Sequence, residues 1–450
     1  MKRNPVPFRA PDQFEDLKVH APQKKAAGVS AVVIAGKKVK EEVGVVRGGK
    51  ALLKLNQTNG VDCPGCAWPD PDDERSMLGE YCENGAKAIA EEATYKSVGS
   101  KFFAENSIQD LSLLSDFELG QLGRISEPLV LEPGQNHYSP LSWEQAFERI
   151  GSQLNQLKSP DEAIFYTSGR TSNETAFLYQ LFTRMYGTNN LPDCSNMCHE
   201  SSGVALSETL GIGKGSVKLE DFYQTDLIFI LGQNPGTNHP RMLSALEKAK
   251  MNGAKIITAN PIEEAGLIGF SNPQRLAGWL GGSTSLTDLY LPVKINADVA
   301  LLKAIMWQLY QSEQQSPGSA IDQAFIEEKT EGYQAFLDSI LSQDFDQLCE
   351  ISGISPEKII KAAQMIKERP KMIICWAMGL TQHENAVDTI KEIVNLLLLR
   401  GSVGKPGAGS CPVRGHSNVQ GDRTMGIWEK PPEWFLDKLE EVFKFSAPRK

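Results

Sequence analysis

From residue 140 onward, short β-branched or aromatic runs alternate with polar, Gly-containing loops and amphipathic stretches. Three units repeat this pattern. "AIFYTSGRTSNETAFLYQLFTRMYG" (163–187) predicts strand, loop and helix; "DLIFILGQNPGTNHPRMLSALEKAKMNGAKIITANP" (226–261) predicts strand, loop, helix and strand; "MIICWAMGLTQHENAVDTIKEIVNLLLLRG" (372–401) returns to the first pattern. Continuous apolar strands joined by helices predict an α/β fold with parallel sheets covered on both faces. Ligands of such sheets bind outside the carboxyl ends of the strands. The three loops expected there, "SGRTSNE", "GQNPGTNHP" and "MGLTQHE", carry amide, hydroxyl and charged groups that together could embrace one large polar ligand. "GIGKGS" (211–216) resembles part of a dinucleotide fingerprint, but no strand precedes it and its third glycine comes too soon, so it is predicted to be a loop.

Length and charge bound this picture. A chain of 450 residues exceeds what one hydrophobic core usually covers, so two or more domains are expected. With 41% hydrophobic and 23% charged residues, the composition is that of an ordinary globular protein. A net charge of -10 and a pI near 5.3 argue against a nucleic-acid-binding surface over the whole molecule. Residues 1–60 run the other way, with 12 Lys/Arg against 5 Asp/Glu, and read as a basic extension whose first 30 residues hold little structure of their own. No apolar stretch approaches the roughly 20 residues of a membrane span. The start, "MKRNPVPFRAPDQ", shows no export signal, so a cytoplasmic address is expected. In that reducing setting the eight cysteines read as metal ligands, reactive thiols or core filler rather than disulfides.

Two cysteine groups carry candidate chemistry. In "VDCPGCAWPDPDDERSMLGEYCENGAKAI" (61–89), Cys63 and Cys66 flank a Pro-Gly turn, and Cys82 follows after fifteen residues. Asp70 stands in C-x2-C-x3-D register as a candidate fourth ligand. An iron-sulfur cluster, a structural zinc and a redox thiol pair all remain open on spacing. Zinc would be favoured by a second C-x2-C pair, which the chain lacks, and a redox pair by a preceding strand. The second group, "DCSNMCHE" (193–200), sets Cys194 and Cys198 four apart with His199 adjacent.

Read together, "CPGCAWPD...C", "TSGRTSNE", "DCSNMCHE", "GQNPGTNHPR", "MGLTQHENA" and "GKPGAGSCPVRGHSNVQGD" resemble the molybdopterin oxidoreductases, in the branch that includes formate dehydrogenase H and the YdeP proteins. The resemblance runs from about residue 60 to about residue 430, with the motifs in family order, and covers the N-terminal part of such proteins. It implies discontinuous, doubly wound parallel-sheet domains with a small N-terminal iron-sulfur domain. It also implies molybdenum bis(molybdopterin guanine dinucleotide) and one iron-sulfur cluster, of the 4Fe-4S type. The molybdenum ligand falls on Cys198, the catalytic histidine on His199 and the substrate arginine on Arg414. Arg170, Asn173, Gly232, Asn234, Asn260, Pro261, Met378, Gln382, Gln420 and Gly421 match positions through which the family contacts the pterins and their guanosine ends. Cys63, Cys66, Cys82 and Asp70 fall on the cluster motif. His239 and His383 read either as supporting groups near the ligand or as hydrogen-bonded structural histidines, and Cys194 as a buried small thiol.

The chemistry of these residue types agrees. Thiolate is a soft donor suited to a high-valent metal, imidazole can take a proton, and a guanidinium fork suits a small carboxylate such as formate. The implied partners are a small-molecule substrate and an electron-transfer protein, with neither nucleic acid nor a membrane span. Two positions depart from the family pattern. Asp70 replaces a cysteine, and Asn84 replaces a lysine that relays electrons. The expected organisation is the extension (1–60), an iron-sulfur domain (61–115), the first part of a discontinuous α/β domain (116–193), an α/β domain with metal ligand and substrate arginine (194–416) and the start of a return (417–450). The family's C-terminal barrel is absent from that list, so the chain reads as a fragment, one piece of a split protein or a degenerate copy. Two function classes follow: a molybdenum-dependent oxidoreductase of formate dehydrogenase type, or a truncated or non-catalytic cofactor-binding or interaction protein that keeps the fold.

Overall fold

Strand β1 (Leu227–Leu231) is apolar and buried at all five positions, as a central parallel strand covered on both faces must be. On one side of it lie β2 (Lys255–Ala259) and β3 (Leu289–Leu291), and on the other β4 (Met372–Trp376) and β5 (Gly409–Pro412). The order β5-β4-β1-β2-β3 is parallel throughout, and Leu227 pairs with Lys255 on one side and Met372 on the other. The chain winds from β1 to one edge and then crosses back to begin β4. The direction of winding therefore reverses between β1 and β4, where such sheets open a ligand crevice. At that point Gly232 takes φ 56, and the Gly379 N–H donates to its carbonyl at 3.0 Å. A Cβ on Gly232 would stand 2.9 Å from the Gly379 carbonyl carbon, so only glycine lets the two loops diverge from touching backbones.

The computed structural model describes residues 21–72, 75–76 and 79–449. The expectation of little structure over residues 1–20 lies outside this range. From residue 26 onward that expectation is corrected. Ala26–Ala27 pairs in parallel with Phe270–Ser271, and α1 (Gly28–Lys54) is a helix kinked at Gly44. Its buried Ala35, Val39 and Val43, spaced four apart, form a stripe that meets Ala86 and Ala90 of α2 (Glu83–Glu92). The helix also buries Glu42, which accepts from Thr94 Oγ1 at 2.7 Å, Lys96 Nζ at 2.8 Å and Lys38 Nζ at 3.0 Å. Burial alone would raise this carboxyl, but those hydrogen bonds outweigh it and hold the pKa at about 2.

Residues 93–142 form only short helices and two-residue strand pairs. Helix α3 (Trp143–Asn155) begins at a Ser142/Gln145 capping box and buries none of its residues. Helix α4 (Asn173–Tyr186) starts where Ser172 accepts from the Thr175 N–H and stops at Gly187 with φ 111. The strand predicted ahead of α4 does not form. Over 163–167 there is one isolated bridge, Thr167 to Asp193, and although Phe165 packs against Tyr179, Phe182 and Tyr186, Ile164 and Tyr166 are 73% and 50% exposed. Among the described residues no neighbouring strand offers the ladder this segment needs.

The sheet's helices divide between its two faces. After α5 (Ser195–Cys198), α6 (Glu200–Leu210) packs on one face, and α7 (Pro240–Met251) covers the other with Leu243 and Leu246 against Ile228 and Ile230. Helices α8 (Asp298–Gln315), α9 (Pro356–Lys367) and α10 (Ala386–Leu399) join α6 around Phe229, Ile374, Ile305 and Ile393. The residues of "GIGKGS" form a loop, as predicted. Among the described residues, no helix is long and apolar enough to cross a membrane.

Candidate functional site

The loop that follows β5 organises the site. Two buried histidines hold its carbonyls from opposite sides: His199 Nε2 meets Val413 O at 3.1 Å and His239 Nε2 meets Arg414 O at 2.8 Å. A carbonyl can only accept, so both rings carry their proton on Nε2. His199 Nδ1 therefore accepts from Ser202 Oγ at 2.9 Å, and that oxygen in turn accepts from Trp376 Nε1 at 3.0 Å. Burial, and then the Arg414 charge, push the His199 pKa down to about 3. The ring is neutral and both its nitrogens are occupied. His239, whose role the sequence left undecided, has a buried Nδ1 with no partner.

Cys198 closes α5 against this loop. Its carbonyl accepts from Thr381 Oγ1 at 2.5 Å, and Gln382 Nε2 donates to the neighbouring Met197 carbonyl at 2.6 Å. Burial raises the thiol pKa, while the Gly415 N–H and the Arg414 guanidinium work against it. The sulfur thus faces a backbone donor and a cation. Arg414 is 7% exposed; its Nη2 donates to Gly213 O at 3.3 Å, and its Nη1 is buried without a partner. An unsatisfied guanidinium N–H beside a thiol is a cradle for a small anion. Cys194 is buried, and its sulfur accepts from the Gly169 N–H at 3.2 Å, which gives it a packing role.

Two clefts flank the loop. The first, of about 710 Å³, opens at the β1/β4 crevice and is lined by Arg170, Gly232, Asn234, Asn260, Pro261 and Met378, with His239, Val413 and Gly415 on the loop side. The second, of about 640 Å³, is lined by His199, Arg414, Gln420 and Arg423. Cys198, buried at 6% exposure, and Asn173, Gln382 and Gly421 line neither cleft. Asn173 Oδ1 accepts from Asn418 Nδ2 at 2.9 Å, and Gly421 is packed against the same two asparagines. Asn260 is bonded both ways to the Gln233 backbone, at 3.1 and 3.0 Å, so it fixes the loop after β1 as well as lining the cleft.

The cysteine segment abuts the first cleft. Gly65 and Asn84 line it, Asn84 Nδ2 donates to Thr237 O at 2.8 Å, and the Ala67 N–H donates to Gly415 O at 3.2 Å. Trp68 anchors the segment edge-on to Phe222 in the core beneath the sheet. The Cys63 and Cys82 sulfurs converge over Gly85, where a Cβ would lie 2.9 and 3.8 Å from them. Burial raises all three thiols, Cys66 to about 11. Among the described residues, no three His, Cys, Asp or Glu side chains could hold a metal ion in this arrangement. A single tetrahedral ion would need sulfurs about 3.8 Å apart, whereas a multi-iron core has a wider span. The Cys63 and Cys82 sulfurs share the space beside Gly85 that a Cβ would fill, and Cys66 lies close enough for their charges to act on it. Asp70, the candidate fourth ligand, is ion-paired: its Oδ1 lies 2.9 Å from Arg241 Nη1.

The sequence profile described as molybdopterin oxidoreductase matches residues 124–428. The chain belongs to the molybdopterin oxidoreductase family. An uncharacterized oxidoreductase of Mycobacterium tuberculosis, Rv2900c, is 52% identical over 439 residues, covering 97% of this chain and 56% of the relative. Protein YdeP of Escherichia coli K12 is 46% identical over 436 residues, covering 96% and 57%. The F420-dependent formate dehydrogenase 1 subunit alpha of Methanococcus maripaludis is 31% identical over 304 residues, covering 67% and 41%. The chain thus spans little more than half the length of the first two relatives. Among solved structures, acetylene hydratase from Pelobacter acetylenicus shares the fold, with a TM-score of 0.52 at 20% identity over 63% of this chain and 36% of that one. Family membership agrees with the resemblance read from the motifs, and the parallel α/β sheet with the fold class expected from them.

Proposed function

We propose that this chain is the cofactor-binding part of a molybdenum-dependent two-electron oxidoreductase of formate dehydrogenase type. The observation that carries the proposal is the buried, unpartnered Nη1 of Arg414 beside the Cys198 sulfur, at the loop dividing the two clefts. In this reading Cys198 is the protein ligand to molybdenum, and Arg414 orients a small anion, with formate as the first candidate. Arg170, Gly232, Asn234, Asn260, Pro261 and Met378 hold a molybdopterin guanine dinucleotide along the first cleft, and Gln420 faces a second across the other. Asn173, Gln382 and Gly421 position these groups from behind. When bound, the molybdenum centre would supply a two-electron acceptor. Cys63, Cys66 and Cys82 would hold an iron-sulfur cluster that passes electrons to a partner protein.

His199 cannot act as a base while Ser202 donates to its Nδ1. It becomes one if the Ser202 hydroxyl turns to accept, which leaves Nδ1 free to take a proton while Nε2 keeps the loop fixed. The same tied ring favours a second reading, in which the protein binds cofactor without turnover. Protein produced anaerobically with ample molybdate separates the two through metal analysis, pterin fluorescence and dye-linked formate oxidation. Turnover is expected in the parent, with Arg414→Ala losing at least 100-fold in kcat/KM, about 2.7 kcal/mol or more, and Cys198→Ser losing activity while retaining pterin. Iron without molybdenum or pterin would overturn the first reading. Molybdenum without formate turnover would reject formate as the substrate.

A further inference from the structure

In the C-x2-C-x3-D register the carboxylate of Asp70 stands where a fourth ligand would be sought, yet it is held by two arginines. Asp70 Oδ1 lies 2.9 Å from Arg241 Nη1, and its Oδ2 lies 3.6 Å from Arg75 Nη1. Arg241, on α7, turns its other nitrogen to Glu80 at 3.2 Å, and its side chain is only 11% exposed. This guanidinium also acts electrostatically on all three thiols of the group. Moving Asp70 onto an iron would strip a nearly buried cation of one of its two counter-ions and place another negative ligand among three thiolates. Breaking such a pair is unfavourable, because the remaining charge keeps its desolvation cost. Arg241, left in place, instead offsets the negative charge that three thiolates bring to a cluster.

We infer that Asp70 is the fixed counter-ion of Arg241 rather than an iron ligand, so that the cluster is tied to the protein by Cys63, Cys66 and Cys82 alone. This rests on the reading of the three thiols as an iron-sulfur site. A cluster with one corner free of protein takes a three-iron form when oxidised and gains an exchangeable fourth iron when reduced. In balanced form, a [3Fe-4S] core of charge +1 takes one Fe²⁺ and one electron from dithionite to give a [4Fe-4S] core of charge +2.

The test is anaerobic reconstitution of the whole chain with ferrous iron and sulfide, followed by iron analysis, low-temperature EPR and Mössbauer spectroscopy. Mild ferricyanide oxidation is expected to leave a three-iron signal, and Fe²⁺ with dithionite to abolish it reversibly. Asp70→Asn should leave that interconversion unchanged, and Asp70→Cys should give a four-iron cluster that survives the same oxidation. Arg241→Gln, checked for folding by circular dichroism, frees the carboxylate and should lower the three-iron fraction after oxidation at least twofold. A parent cluster that keeps four irons through oxidation, and loses one only when Asp70 is replaced, would overturn the inference while leaving the iron-sulfur reading intact. Failure of the parent and of Asp70→Cys alike to assemble any cluster would overturn both.

Discussion

The sheet layer and the segments wrapped around it are held together by different physics. Around β1 and β4, every strand residue is buried, and the two faces are closed by aliphatic side chains from α6 to α10. Around the cysteine segment and α1, smaller apolar contacts, Trp68 on Phe222 and the α1 stripe on Ala86 and Ala90, are joined by charged ones: Arg241 between Asp70 and Glu80, and Glu42 among Lys38, Lys96 and Thr94. Apolar burial is additive and indifferent to pH or ligand. Ion pairs and capped carboxylates depend on both. The layer that supports the loops is therefore rigid by itself, while the hold on the cysteine segment depends in part on its charged ties.

Two substitutions separate these regimes. Phe229→Ala opens a cavity in the central strand and should cost about 4 kcal/mol, read as a lower midpoint of the main urea transition. An equal change in a second, separate transition would contradict the view of one sheet core. Trp68→Ala removes a large apolar anchor of the cysteine segment, with its edge-on contact to Phe222. It should cost about 3 kcal/mol locally. Amide exchange over residues 61–72 should accelerate while β1 and β4 keep their protection. Uniform loss of protection would mean that the segment and the sheet unfold as one unit.

The boundary between legible and illegible follows the same division. β1, β2 and β4 were readable because a buried parallel strand is a run of apolar residues whatever surrounds it. β3, at three residues, and β5, "GSCP", are too short and too poor in apolar side chains to announce themselves. The segment 163–167 has strand-like residues but no partner, and pairing is not a property of one segment. α1 carries its stripe at 35, 39 and 43 within a Lys- and Gly-rich stretch, which masked it as a basic extension. At the site, the polar loops at the strand ends were legible as ligand-facing, whereas the support of Arg414 by His239 spans 175 positions and the clamp of Asp70 by Arg241 spans 171. Contacts that distant leave no local pattern. A periodic signal could not have found His239; its place in "GQNPGTNHPR" named it with the role left open, and the bond to Arg414 O supplies that role.

The smallest expected effect tests whether charge also governs the helix that follows the site loop. Asp422, on α11 (Val419–Thr424), is fully buried near the equally buried Asp193, and each carboxylate has one oxygen with no hydrogen-bond donor. Burial first, and the Asp193 charge second, raise the Asp422 pKa to about 7 from the ordinary 3.8. Below pH 3.8 both folded and unfolded chains hold this proton, and the group costs nothing. Between 3.8 and 7 only the unfolded chain releases it, so stability falls as pH rises, and above 7 the deficit is constant. Asp422→Asn removes the ionisation and should stabilise the protein at pH 8 by about 2 kcal/mol, less than the full shift implies because the amide is itself a buried polar group that keeps part of the cost. The gain should shrink toward zero at pH 4. A gain equal at both pH values would mean that folding leaves the Asp422 ionisation unshifted.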